Sequence, residues 1–341
     1  RFLLSSTVIS TLASFAADLP KRVARLSGGS CAHCLEANAA RHAHSSNDVY
    51  KPSHVGRLLH ADIVGPFKAG IVGSYRYGLV IVDDHSRYKF VYFLKTKSEA
   101  LSKVRSCVAA LNAHLSRGHA SPVKVVGSLH TDNAGEFLSR EFKSFLDEEV
   151  LQQTTCPPHV HSLNGVAERA IRTIIENTRS HMTASNAPTS FWPYAVEHAV
   201  DILNRATGPP GSAKSSFELL EGVKPKVLPI QPFGCRAVAV RPRHTYSKTA
   251  LEPHGQIGIA LGRAPSVLGG YRVWMPAAGK IVVTSDVYFD PTFMPWRPLD
   301  QRRVGPPPMI APDDDDRASG LSHAHPQPVD GSGAPVVDSL A

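Results

Sequence analysis

The sequence predicts an α/β protein with a mixed five-stranded sheet and flanking helices, followed by a small mainly β domain and a disordered tail. Short apolar runs suited to strands alternate with stretches of helical periodicity between residues 58 and 155. Short β-branched runs separated by turn residues fill residues 228–293. From residue 297 onward Pro, Gly, Asp and Ser dominate, which is the composition of a segment that cannot build a core.

The first part of the chain predicts a regular order of elements. Strands are expected at residues 58–64, 77–82, 88–94, 123–130 and 152–155. A helix is expected from the capping box at Thr96 to Leu115. Another should open at Ser139, with Phe142, Leu146 and Val150 on its inner face. Three strands, a helix, a strand, a helix and a last strand are the order of an RNase H-like core.

A long helix is expected to follow a loop at residues 157–163. It should begin near Asn164, and its periodicity places Val166, Ala170 and Ile174 on one face. The opposite face would carry Glu168, Arg172 and Arg179. A further helix is expected at residues 191–206, before Pro and Gly residues end it.

Composition favours a polyanionic partner inside a reducing compartment. The formal net charge is +8, and residues 297–341 carry −3, so the remainder of the chain carries +11. Five cysteines at irregular spacing do not suit a disulfide framework. No run of about eighteen apolar residues predicts a transmembrane helix, so no membrane partner is expected. Because the sequence opens on Arg1, we expect a segment of a longer or processed chain.

Three carboxylates occupy the places where metal-dependent phosphoryl chemistry would need them. Asp62 lies on the first strand, Asp132 ends the fourth, and Glu168 lies in the first turn of the long helix. Hard oxygen ligands of this kind hold the divalent ions that activate phosphodiesters. Taken singly, each of these acids is better explained as a solvated surface group.

The residues around these acids form longer motifs. They read L-H-A-D-I-V-G-P from Leu59, H-T-D-N-A-G-E-F from His130 and N-G-V-A-E-R from Asn164. In order and spacing they resemble the integrases of copia-type retrotransposons, which form part of a Pol polyprotein. The resemblance covers about residues 31–295 and includes D-D-H-S-R-Y from Asp83 and P-F-G-C from Pro232.

The resemblance implies a function, a cofactor and partners. It implies an RNase H-like core with an Asp, Asp, Glu triad that falls on Asp62, Asp132 and Glu168 and binds Mg²⁺ or Mn²⁺. We expect Asp62 to bridge two ions, Asp132 to complete one site and Glu168 the other. The implied reaction inserts the ends of element DNA into double-stranded target DNA by strand transfer. A homo-oligomer and a nuclear location are implied as well.

The resemblance also gives the domain boundaries. Residues 1–50 would be the remnant of an N-terminal zinc-binding module, 51–225 the catalytic core, 226–296 the β domain and 297–341 the tail. Cys31 and Cys34 have the interval of a zinc half-site, and tetrahedral Zn²⁺ needs two more ligands. Residues 1–30 contain no histidine, so the site is expected to be incomplete unless His33, His42 or His44 completes it.

Other residues leave alternatives open. Arg169, Arg172 and Arg179 are candidate phosphate contacts, although a solvated helix face explains them equally well. Asp83 and Asp84 also follow an apolar strand, and we interpret them as a solvated or capping pair linked to Arg87. On that interpretation Asp83→Asn should leave substantial activity.

Two functions compete with an active integrase. One is a decayed or domesticated copy that binds DNA without joining strands. The other is a related RNase H-like nuclease or transposase, because fold alone does not fix the reaction.

Overall fold

The computed structural model describes residues 52–117, 124–155, 165–241 and 253–302. The expected N-terminal module, with Cys31 and Cys34, lies outside the described residues, and so do residues 303–341 of the tail expected at 297–341. Within the described part of that range, Leu299–Gln301 form a short 3-10 helix. The boundaries that we expect for these two parts therefore stay predictions. Within the described ranges, no helix combines the length and the apolar character needed to cross a bilayer.

A mixed five-stranded sheet forms the first half of the molecule. Its strands are β1 (Leu58–Val64), β2 (Tyr77–Asp83), β3 (Lys89–Leu94), β4 (Ser128–Thr131) and β5 (Gln152–Thr155). They lie in the order β3-β2-β1-β4-β5. The first three are antiparallel, whereas β4 runs parallel to β1 and β5 parallel to β4. This is the RNase H-like arrangement that the order of elements predicts.

Helices cover both faces of this sheet. They are α1 (Ala100–Leu115), α2 (Gly135–Leu138), α3 (Arg140–Glu149), α4 (Gly165–Ser185), α5 (Trp192–Ala206) and α6 (Ser216–Glu221). On one face, Leu59 and Ile81 pack with residues of α1 and α3. On the other, Val80 packs with Ile174 of α4 and Val196 of α5. The alternation of side chains along each strand thus gives the sheet two separate cores.

Two expectations for the core are wrong in detail. Val150 was expected on the inner face of its helix, but it is 78% exposed. It occupies the left-handed cap position, with φ of 57°, so its side chain leaves the helical face. β4 begins at Ser128 and not near residue 123. The backbone N–H groups of Val125 and Val126 donate to Oδ1 of Asn112 at 2.8 and 3.0 Å, in place of a ladder.

The second half of the molecule is an antiparallel sheet. Its strands are β6 (Arg236–Val240), β7 (Gly255–Arg263), β8 (Tyr271–Met275), β9 (Lys280–Thr284) and β10 (Val287–Asp290). They lie in the order β10-β6-β7-β8-β9. A compact core of small and aromatic side chains, including Ala237, Val273 and Phe289, lies on one face. This confirms the predicted small β domain.

The β sheet packs directly against α5 of the core. The Phe191 ring lies 5.3 Å from that of Trp274 and 4.8 Å from that of Trp296, measured between centroids. Glu197 and Arg272 form an ion pair of 2.9 Å across the same contact. Sequence reasoning treated the two parts as separate units, but aromatic packing and a charge pair join them.

Two histidines are buried where α4, α5 and the β sheet meet. The ring centroids of His181 and His198 are 5.0 Å apart, and the ring planes are inclined at 69° to each other. Burial lowers the pKa of His198 to about 4, against the opposing charge of Asp201. Burial and the neighbouring His198 hold the pKa of His181 well below its usual range. Both rings therefore stay neutral in the folded protein at pH 7.

This pair predicts a loss of stability in mild acid. Unfolded histidines take up protons near pH 6.5, whereas His198 in the folded protein does so only near pH 4. Stability should therefore fall as the pH drops from about 6.5 towards 4, by about 2 kcal/mol at pH 5 for His198, and His181 contributes a loss in the same direction. Urea unfolding at pH 7 and pH 5 measures this loss.

The non-titrating variant His198→Asn isolates the contribution of one ring. Its packing defect is the same at both pH values, so the stability difference between pH 7 and pH 5 should shrink by about 2 kcal/mol. The exposed His54→Gln variant should leave that difference unchanged. An identical acid loss in wild type and His198→Asn would show that other groups carry the pH dependence.

Candidate active site

Parallel pairing of β1 with β4 brings two of the predicted carboxylates side by side. Ala61 is in register with Thr131, and the next residues along the two strands are Asp62 and Asp132. Oδ1 of Asp62 accepts the N–H of Ile63 at 2.7 Å. Oδ1 of Asp132 accepts the N–H of Ala134 at 3.1 Å. Local backbone groups thus orient both carboxyls at the same end of the sheet.

The third predicted carboxylate comes from the helix that covers this face. Glu168 lies in the first turn of α4 and is exposed. Its neighbour Ala167 is buried, and Ala170 and Ile174 continue the buried face one and two turns further on. α4 lies against β1 and β2, so its first turn holds Glu168 at the sheet end that carries Asp62.

The three acids share one electrostatic field. The pKa of Asp62 is raised to about 6, chiefly by burial and in addition by the charges of Asp132 and Glu168. The N–H of Ile63 and the charge of Lys97 act in the opposite direction. An excess of negative charge at one place is the condition under which a divalent cation binds, and carboxylate oxygens are the donors that Mg²⁺ prefers.

The site is nevertheless not closed around an ion. Within the described residues, no three His, Cys, Asp or Glu side chains converge closely enough to hold a metal. The three carboxylates therefore lie at one end of the sheet and offer the oxygen ligands of a metal centre. Their side chains are farther apart than the ligands of a bound ion would be. Residues 156–164, which lead into the helix of Glu168, are outside the described ranges.

A buried polar network lies one row deeper in the same sheet. His60 lies two residues before Asp62 on β1, and the two side chains therefore share one face of the sheet. Its Nε2 lies 3.1 Å from Oδ1 of Asp84, and Arg87 pairs with the same oxygen at 2.8 Å. The neighbouring His130 contacts Thr154 Oγ1 through Nδ1 at 2.8 Å. The two histidines next to the predicted site are thus engaged with protein groups.

The network partly corrects the interpretation of the paired acids. Asp84 is linked to Arg87, as the sequence suggested, but both Asp83 and Asp84 are buried and neither is a solvated group. Asp84 connects the D-D-H-S-R motif with the histidine of the L-H-A-D motif. Both motifs are visible in the sequence, but their contact with each other follows only from the register of β1 and β2.

Sequence reasoning missed two charged residues beside the site. Nζ of Lys97 lies 3.4 Å from Oε1 of Glu136, and the charge of Lys97 lowers the pKa of Asp62. Glu136 is part of the H-T-D-N-A-G-E-F motif that begins at His130, but the motif did not predict a role for it. The sequence placed Lys97 in the capping box of a helix, and nothing else in it indicated that Lys97 lies near the carboxylates.

The three candidate DNA contacts lie along the long helix. Arg169, Arg172 and Arg179 are all exposed, and intervals of three and seven residues place them on one face of α4. Glu168 begins the same helix. The structure therefore presents a row of three cations that leads away from the carboxylates.

Two known protein families match this chain. The family described as "Integrase core domain" matches residues 52–161. The family described as "Retroviral polymerase SH3-like domain" matches residues 235–302, which include the whole antiparallel sheet.

Curated relatives are much longer polyproteins. The chain is 30% identical over 263 residues to a Retrovirus-related Pol polyprotein from transposon TNT 1-94 of Nicotiana tabacum, covering 76% of this chain and 19% of the relative. It is 26% identical over 269 residues to the corresponding polyprotein from transposon RE2 of Arabidopsis thaliana, covering 78% and 17%. A Transposon Ty1-LR3 Gag-Pol polyprotein of Saccharomyces cerevisiae is 26% identical over 262 residues, covering 75% and 14%. The chain thus spans less than a fifth of these relatives.

Solved structures resemble the chain more distantly. The catalytic core domain of HTLV-2 integrase in complex with magnesium is 21% identical with a TM-score of 0.36, covering 49% of this chain and 97% of that one. A simian T-cell lymphotropic virus intasome in complex with a PP2A regulatory subunit is 18% identical with a TM-score of 0.42, covering 85% and 93%.

Proposed function

The chain belongs to the integrases of copia-type retrotransposons, and we propose that it joins the ends of element DNA to double-stranded target DNA. The observation that carries the proposal is the placement of Asp62 on β1 and of Asp132 directly after the adjacent parallel strand β4, with Glu168 in the first turn of the covering helix. The charges of Asp132 and Glu168 raise the pKa of Asp62, and this supports a shared role for the three carboxylates.

The reaction exchanges one phosphodiester for another. The 3′-hydroxyl of an element end attacks a target phosphate, a new P–O bond forms, and the bond to the target 3′-oxygen breaks. The number of phosphodiesters is conserved, so no external energy source is needed. The protein supplies no nucleophile of its own. Among the described residues the cysteines are Cys107 and Cys235; both are buried, and burial raises the pKa of the Cys107 thiol to about 12.

Each site residue has a task in this reaction. Asp62, Asp132 and Glu168 would hold the divalent cations, with Asp62 shared between two of them. Bound there, Mg²⁺ or Mn²⁺ would polarise the target phosphate and stabilise the leaving oxygen. The charge of Lys97 lowers the pKa of Asp62 and so favours the ionised carboxylate that a cation needs.

The exposed row Arg169, Arg172 and Arg179 would contact DNA phosphates. Contacts of this kind position a duplex without reading its sequence. Because one site processes one DNA end at a time, insertion of both ends requires at least two copies, and we infer a homo-oligomer on DNA. We infer the nucleus as its place of action, because the target is chromosomal DNA.

A strand-transfer assay tests the proposal. The purified chain is incubated with a labelled duplex that carries the terminal sequence of the element, a plasmid target and Mg²⁺. We expect labelled duplex to become joined to the plasmid, and chelation of the metal should abolish the product. A matched duplex with 3′-deoxy ends should bind equally well and give no product, because it lacks the nucleophile.

Two other outcomes would replace the proposal. Cleavage of DNA without joining would identify an RNase H-like nuclease. Binding of duplex without cleavage or joining, in either Mg²⁺ or Mn²⁺, would identify a decayed or domesticated copy that keeps only DNA binding.

A further inference from the structure

We propose that a groove between α4 and α5 is the docking site for the C-terminal segment of the same chain, residues 304–316. We call it the α4–α5 groove. It has a volume of about 580 Å³ and lies beside the loop that follows β1. The inference does not rest on the proposed function, because docking is argued from the groove and the chain alone and is tested without DNA.

The walls of the α4–α5 groove are mainly apolar. Ile175 and Met182 of α4 face Trp192 and Val196 of α5 across it, and Phe67 closes it from the β1 side. The Trp192 indole is held in place because its Nε1 donates to the Lys68 carbonyl at 2.8 Å. A fixed apolar surface of this size is suited to a short segment that inserts one or two apolar side chains.

The charge of the groove selects for an acidic occupant. Lys68 and Arg179 both line it, and both are exposed residues. Among the described residues that line it there is no carboxylate. The groove thus combines apolar walls with two positive charges, which favours an occupant that carries apolar and acidic groups in succession.

The last described residues of the chain are fastened to one end of this groove. Arg297 donates from Nε to the Ala184 carbonyl at 2.6 Å. Asn186 donates from Nδ2 to the Trp296 carbonyl at 3.0 Å, and Asn186 itself lines the groove. Arg302 in turn donates to the Arg297 carbonyl at 3.0 Å. The chain therefore leaves the described structure next to the C-terminal end of α4.

The segment that follows has the composition that the groove selects for. Its sequence is V-G-P-P-P-M-I-A-P-D-D-D-D from Val304 to Asp316. Met309 and Ile310 are the large apolar side chains, and four consecutive aspartates follow three residues later. Prolines before them lower the entropy that the segment would lose on binding.

The lengths also agree. Seven residues separate Arg302 from Met309, and an extended chain spans about 22 Å over that interval. Along α4, the eleven residues from Asn186 back to Ile175 span about 16 Å. Met309 and Ile310 can thus reach the middle of the groove, and the aspartates can reach Arg179 and Lys68.

Hydrogen exchange of the full-length chain, without DNA, tests docking directly. We expect the backbone amides of residues 309–316 to exchange about tenfold more slowly than in a free peptide of the same sequence. Lys68→Glu removes a groove charge, and Thr183→Trp fills the groove from an exposed position of α4. Each variant should return the segment to the rate of the free peptide. Lys280→Glu, a matched charge reversal on the exposed start of β9, should not.

A charge swap makes the test specific. Protection lost in Lys68→Glu should return when Asp314→Lys is added to the same chain. Exchange at the free-peptide rate in the wild type would overturn the proposal, and so would protection that neither groove variant reduces. Protection that rises with protein concentration would mean that the groove takes the segment of a second copy and would overturn docking within one chain.

Discussion

Asp132→Asn is expected to abolish metal-dependent strand transfer while the fold stays intact. The substitution removes one negative charge and one ligand oxygen from the carboxylate group around Asp62, and rate losses of about a thousandfold or more follow from such a change at a metal site. The fold should survive because the amide oxygen of Asn can still accept the N–H of Ala134. The measurement is turnover of labelled duplex into plasmid, with circular dichroism as the check on folding.

The exposed variant Asp147→Asn provides the control. It changes the net charge by the same amount from α3, away from the carboxylate group, and should keep wild-type turnover. Asp62→Asn and Glu168→Gln should each behave like Asp132→Asn. If Asp132→Asn and the wild type joined DNA at comparable rates, these carboxylates would not be the catalytic group.

The core sheet could be predicted because its signals are local. Continuous apolar runs such as residues 77–83 have the same meaning wherever they occur, since a strand buried on both faces carries apolar side chains on both. The later start of β4 could not be predicted. Asn112 on α1 satisfies the backbone of Val125 and Val126, and this contact joins residues that the sequence separates.

The contact between the two halves of the molecule also lay beyond sequence reasoning. Phe191, Trp274 and Trp296 lie in three different parts of the chain, and each alone predicts only that an aromatic ring is buried. His181 and His198 are neighbours only because α4 and α5 pack together. Periodicity identifies the buried face of a helix but not the surface that covers it.

The candidate site likewise contains residues that the sequence predicts and contacts that only the structure shows. Motifs marked Asp62, Asp132 and Glu168, because residue types in a fixed order are visible in the chain itself. The effect of Lys97 on the pKa of Asp62 and the contact between Asp84 and His60 depend on strand register and helix placement. The contacts of the surrounding groups therefore had to come from the structure, whereas the motifs were enough to predict the three carboxylates.

Asp83 illustrates what burial adds to such a prediction. The sequence suggested a solvated or capping carboxyl whose replacement would matter little. In the structure Asp83 is fully buried, and Oδ1 accepts the N–H of Gly56 at 2.7 Å. Oδ2 accepts the N–H and the hydroxyl of Ser86 at 2.7 and 2.6 Å. This carboxylate fastens the turn before β1 to the turn between β2 and β3.

Asp83→Asn is therefore expected to destabilise the fold by about 2 to 4 kcal/mol. Both carboxylate oxygens accept hydrogen bonds, so either orientation of an Asn amide sets its NH₂ group against a buried donor of Gly56 or Ser86. Urea unfolding at pH 7 measures the loss, and Asp147→Asn should stay within about 0.5 kcal/mol of the wild type. Ser86→Ala removes the hydroxyl that donates to Asp83 and accepts the N–H of Tyr88 at 3.2 Å, and it should cost about 1 to 2 kcal/mol. The double variant should cost less than the sum of the two, because the bond from the Ser86 hydroxyl to residue 83 is already compromised in Asp83→Asn. Unfolding of Asp83→Asn at the wild-type urea concentration would mean that the buried carboxylate is dispensable.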